Sequence, residues 1–79
     1  MNGPKKLNLI NAEKNVAIIA LRGGKEFNQK IVSMGIHIGA ELTVIEAEPP
    51  RGGAMLIGVN GTRLMLGHGM AKKIFVREL

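Results

Sequence analysis

Apolar and polar positions change period several times along the chain, and each change marks the edge of an element. Residues 1–6 (Met-Asn-Gly-Pro-Lys-Lys) carry too little apolar surface to offset the entropy of ordering. A flexible start is therefore expected, with one domain over residues 7–79. Leu7, Leu9 and Ile10 open the apolar content, and a polar turn follows at Asn11–Asn15. Val16-Ala17-Ile18-Ile19-Ala20-Leu21 is β-branched and apolar on both alternating faces, so it reads as a strand covered on two sides or sharply curved. Gly23-Gly24 ends it.

Between Lys25 and Met34 the period becomes helical. Phe27, Ile31 and Met34 fall on one face, and Glu26 in the first turn suits the helix dipole. Gly35 then supplies a left-handed C-cap, and Ile36 stands where a Schellman motif takes a hydrophobe. Past Gly39 the period is two. Ala40 to Glu48 reads as a strand with Leu42 and Val44 on one face, and the apolar side switches near Ile45, which predicts a bulge. Pro49-Pro50-Arg51-Gly52-Gly53 is a loop. Ala54–Val59 and Thr62–Leu66 flank Asn60-Gly61, the strongest short hairpin signal. A two-residue turn there pairs Met55, Ile57 and Val59 with Leu66, Leu64 and Thr62 on one face, and Leu56 with Met65 on the other. Gly67–Lys73 reads as a turn with at most one 3₁₀ turn, and Ile74–Leu79 as a closing strand. Five short strands and one small helix predict a mainly β protein, a small SH3-like barrel whose closure hides its sheet edges.

Composition narrows the chemistry. A chain of 79 residues makes one domain with a small core. Cysteine is absent, which excludes disulfides, thiolate metal sites and cysteine nucleophiles. Asp, Tyr and Trp are absent too, and only two His remain. No apolar run approaches the roughly 20 residues of a membrane span, and no apolar segment follows the basic start as in a signal peptide. A cytoplasmic protein is the expectation. Eleven bases against six acids give +5, interrupted in sequence by Glu41, Glu46 and Glu48. Such a charge draws nucleic acid, anionic lipid or an acidic protein face, and its sign alone does not choose.

The order of these segments resembles the FeoA family, small accessory proteins of ferrous iron transport. The resemblance rests on Gly23-Gly24, on Lys30-Ile31-Val32-Ser33-Met34-Gly35-Ile36-His37-Ile38-Gly39, and on Leu42-Thr43-Val44-Ile45. It continues through Pro49-Pro50-Arg51-Gly52-Gly53 and Asn60-Gly61-Thr62-Arg63-Leu64-Met65-Leu66, and ends on Ala71-Lys72-Lys73-Ile74-Phe75-Val76. Ile38 stands where the family pattern prefers Pro, Lys30 where it prefers Arg, and Gly67 where a basic residue often follows the hairpin. The resemblance implies an SH3-like fold, no catalytic residues, and a cytosolic role beside FeoB, the membrane permease with a GTPase domain. It implies contact with the membrane only through that partner.

The candidate chemistry agrees. Catalysis needs a nucleophile, a base and an orienting group. Here only His37, with Ser33 four residues away, and His68 are available, so no enzyme activity is expected. The same histidines with Glu41, Met34 and Met70 are the only candidate iron ligands, and they lack any ligand spacing, so no metal or cofactor is assigned. Gly23-Gly24 and Gly52-Gly53 lack the spacing of a phosphate loop, and no small-molecule substrate is assigned. Leu56 and Met65, predicted to face away from the core, are the candidate partner-binding anchors; Lys25 and Lys30 on the helix orient the partner, and Met34, which ends that helix beside the Gly35–Gly39 loop, is a further candidate. The alternative function is a basic barrel binding RNA or DNA, for which Phe27 and Phe75 are the sole aromatic platforms.

Overall fold

The computed structural model describes residues 3–79; Met1 and Asn2, part of the expected flexible start, lie outside the described residues. The strands are β1 (Lys5–Lys6), β2 (Lys14–Leu21), β3 (Glu41–Glu46), β4 (Met55–Val59), β5 (Thr62–Leu66) and β6 (Ile74–Glu78). Helix α1 spans Gly24–Ser33, helix α2 spans His68–Ala71, and Leu7–Leu9 form a 3₁₀ turn. The strands make one antiparallel sheet in the order β1-β6-β2-β3-β4-β5, a mainly β fold consistent with an SH3-like architecture.

Three expectations need correction. There are six strands rather than five, because Lys5 and Lys6 are not frayed: they pair with Val76 and Phe75, and the Lys5 ammonium meets the Glu78 carboxylate at 3.1 Å. Composition missed this because the ordering comes from a strand 70 residues away. Gly67–Lys73 is more than a turn. It holds one turn of α-helix, closed by the Ala71 and Lys72 N–H groups donating to the Gly67 and His68 carbonyls. Finally, among the described residues the ladder does not close on itself, so β1 and β5 remain as ends of the sheet.

The rest follows the predicted physics. The sheet bends at two bulges, one between Ile18 and Ala20 on β2 and one between Val44 and Glu46 on β3. The second lies at Ile45, where the apolar side was expected to switch. The curved sheet wraps one core in which Val16, Ile18, Val44, Met55, Ile57, Leu66, Ile74 and Val76 are buried together with Leu7, Ile31 and Ile36. No polar side chain is buried among them, so burial of apolar area is what holds the core, at roughly 1.5–3 kcal/mol for each large side chain.

Helix α1 covers that core with Ile31 buried and Phe27 and Met34 half-buried. Its start is tied to the end of β2 by Asn28, whose side-chain amide donates to the Leu21 carbonyl and accepts from the Gly23 N–H, both at 3.3 Å. Its end is the Schellman cap: the Gly35 N–H donates to the Val32 carbonyl at 2.9 Å and the Ile36 N–H to the Ile31 carbonyl at 3.1 Å. Gly35 takes φ +89°, a conformation its missing side chain allows, and Ile36 is buried.

Candidate functional site

The hairpin carries the candidate surface. Asn60 and Gly61 have φ of 51° and 75°, the left-handed pair that a type I′ turn requires. That turn fixes the register: Val59 opposes Thr62, Ile57 opposes Leu64, Leu56 opposes Met65, and Met55 opposes Leu66. Because side chains alternate across a strand, this register turns Met55, Ile57, Val59 and Leu66 into the core and Leu56 and Met65 outward. Met65 is 59% exposed, while Leu56 is half-buried between Met65 on one side and Glu46 across β3 on the other. Ile45, pushed out by the bulge, covers the neighbouring outer position. Its Cδ1 would lie 3.2 Å from a Cβ at Gly58. Ile45, Leu56 and Met65 thus form a short apolar row on the outer face.

Beside that row runs a shallow groove of about 670 Å³, floored at Gly58 and bordered by Thr43, Asn15 and Arg63. Thr43 donates its hydroxyl to Asn15 Oδ1 at 2.6 Å across β2 and β3. A second depression, of about 500 Å³, lies between Ile19, Ala20, Pro4 and Phe75 with Arg22 at its rim.

The other sequence-predicted residues are placed differently. Lys25 and Lys30 are exposed in the first and last turns of α1. Met34 is not an exposed anchor: it caps the helix half-buried and packs against the core, because the helical period that brings it near Ile31 also turns it inward. Helix and hairpin meet at the turn, where Asn60 Nδ2 would lie 2.9 Å from a Cβ at Gly35. Leu56 is four residues down β4 from that turn, about 13 Å along an extended strand. The basic helix residues and the apolar pair therefore sit on separate elements whose evident contact is the hairpin turn.

Both histidines are exposed. His37 Nδ1 lies 3.1 Å from the Ile38 carbonyl, and the Ser33 hydroxyl donates to the Lys30 carbonyl at 2.6 Å, which takes it up within its own helix. His68, at the start of α2, meets the Glu48 carboxylate at 2.7 Å. Sequence reading missed that pair, since 20 residues separate the partners and both the Pro49–Gly53 loop and the return of the β4–β5 hairpin are needed to bring them together. Among the described residues no three His, Asp or Glu side chains gather where they would hold a metal ion. Two further contacts went unforeseen: the Arg22 guanidinium lies over the Phe75 ring at 5.5 Å and the Lys73 ammonium over the Phe27 ring at 5.2 Å. Each aromatic platform already carries a cation on one face.

With this geometry in view, the FeoA domain family matches residues 5–78. The chain belongs to the FeoA family. It is 40% identical over 50 residues to a Methanocaldococcus jannaschii protein named "Putative Fe(2+) transport protein A"; the match covers 63% of this chain and spans 57% of that relative's length. The crystal structure of an iron uptake regulatory protein (FeoA) is similar at a TM-score of 0.88 and 32% identity, covering 98% of this chain and all of that one. A manganese-dependent transcriptional repressor shares the fold alone. There the TM-score is 0.85 at 18% identity, and all of this chain overlies 44% of the repressor. In this FeoA-family chain no described helix is long and apolar enough to cross a membrane.

Proposed function

We propose that this FeoA-family chain is a non-enzymatic, cytosolic protein-interaction module that supports ferrous iron transport by binding the cytosolic region of a FeoB-type permease. The observation that carries this reading is the outward row on the hairpin. Met65 is 59% exposed opposite Leu56, although the inner face of the same strands is filled by core residues. Large apolar side chains turned to solvent beside charged neighbours are how protein interfaces present their anchors. The family's link to iron transport, and the name of the archaeal relative, supply the transporter context. Lys25 and Lys30, exposed on α1, orient an acidic partner.

Binding to RNA or DNA is the weaker reading, because Phe27 and Phe75 are half-buried and each has a cation over its ring. An NMR titration of the intact chain with the permease's cytosolic domain, then with single-stranded RNA, separates the two. The module reading expects shifts centred on Leu56 and Met65 with the permease domain, and only salt-labile, diffuse shifts with RNA. Saturable RNA binding that survives high salt, with no response to the permease domain, would overturn it.

A further inference from the structure

The sheet order leaves β5 with a single partner, β4, among the described residues. In an antiparallel hairpin closed by a two-residue turn, the pair flanking the turn exchanges both hydrogen bonds, and bonded and non-bonded pairs alternate from there. Thr62, Leu64 and Leu66 therefore bond to Val59, Ile57 and Met55. Arg63 and Met65, opposite Gly58 and Leu56, turn their N–H and C=O groups away from β4. No other backbone contact takes up those four groups among the described residues. The two residues that present free backbone are also the two whose side chains stand on the outer face, and both are exposed. Arg63 makes no ion pair among the described residues. Glu41, the acid bordering the same groove, stays out of ion-pair range.

We infer that β5 is a docking edge for an extended segment of an acidic protein partner, which adds to the sheet as a seventh strand. The inference rests on the protein-interaction reading above and adds its mode. Strand addition satisfies the four free groups at Arg63 and Met65, and alternate side chains of the incoming strand then supply specificity. A partner carboxylate faces Arg63, and a large apolar residue two positions away faces Met65, which has Leu56 on its other side. The residue between them falls on the inner side beside half-buried Leu64, where a β-branched side chain fits. Charge selects the partner class: an unpaired Arg63 on a chain of net charge +5 favours an acidic segment. A second copy of this chain fits less well. Antiparallel pairing about Leu64 would set Arg63 against the copy's Met65, with no charge pair gained between two basic molecules.

The test is amide hydrogen exchange by NMR on the intact chain, with a capped peptide Thr-Val-Leu-Val-Glu-Val-Thr as the probe. In an antiparallel register it places Glu opposite Arg63 and Leu opposite Met65. In the free chain the Arg63 and Met65 amides should exchange at least 100-fold faster than Leu64, which is bonded to β4. Saturating peptide should slow those two amides at least 10-fold. Arg63→Glu should weaken peptide binding at least 10-fold, and a peptide with Lys in place of Glu should rescue that variant. Met65→Pro removes an outward N–H while sparing the bonds of Leu64, and should abolish binding. Should that variant not fold, the charge swap decides alone.

Unchanged exchange at both amides with millimolar peptide would overturn the proposal. So would protection that appears without peptide and grows with protein concentration, which would mark the edge as a self-association surface. The two proposals fail separately. If the permease domain binds while both amides stay unprotected, the module stands and strand addition falls. If the peptide protects them while the permease domain does not bind, the reverse holds.

Discussion

At the scale of single residues, two kinds of position behave differently. Gly61 sits at φ +75° with open space around it, so conformation alone decides what it tolerates. A Val there must adopt the left-handed region that β-branched residues resist, and Gly61→Val should lower stability by more than about 1 kcal/mol in thermal or urea unfolding. An unchanged melting curve would mean that the hairpin turn is not what sets the strand register. The histidines are the opposite case, exposed and replaceable. His68 meets Glu48, and an exposed pair of this sort contributes at most about 1 kcal/mol. The double variant His37→Ala, His68→Ala should fold as the parent does and lose less than about 1 kcal/mol. Its melting response to added Fe(II) should match the parent's. Stoichiometric micromolar Fe(II) binding by the parent, lost in the variant, would contradict this.

At the scale of elements, legibility followed the range of the interaction. The hairpin register, the Schellman cap at Gly35-Ile36 and the bulge at Ile45 are written in local residue types, and each stands where the pattern put it. Strand β1 and the Glu48–His68 contact depend on partners far along the chain, and no local period signals them. Helix α2 is hidden from a local reading because Gly67 and Gly69 outweigh one helical turn in propensity. The candidate surface was half legible. Alternation sends Leu56 and Met65 to the outer face, where Met65 is exposed and Leu56 half-buried. The helical period that groups Met34 with Phe27 and Ile31 already points Met34 toward the core, against its use as an exposed anchor. The contact between the α1 cap and the hairpin turn makes its own prediction. Gly35→Ala places a methyl group at positive φ and within 2.9 Å of Asn60 Nδ2, so it should cost more than about 1 kcal/mol and perturb the amides of Asn60 and Gly61. Perturbation confined to α1 would show that the two elements are not coupled.

At the scale of the whole molecule, a curled six-stranded sheet wraps an apolar core, and its outer face carries basic residues, the Leu56–Met65 pair and the free edge of β5. Long-range charge and contact anchors should then separate kinetically. Lys25→Glu should slow association with the permease domain in a salt-dependent way and leave dissociation nearly unchanged, as charges outside an interface core do. A slower association that persists at high salt would mean that Lys25 is itself an anchor. The most direct test of the interaction reading is the affinity of the permease's cytosolic domain for Leu56→Ser, Met65→Ser measured by calorimetry beside the parent. Both side chains lie outside the core, so the variant should fold with an unchanged circular dichroism spectrum and bind weaker by about 2 kcal/mol or more, roughly 30-fold. Equal affinity in a folded variant, or a variant that unfolds, would contradict the account.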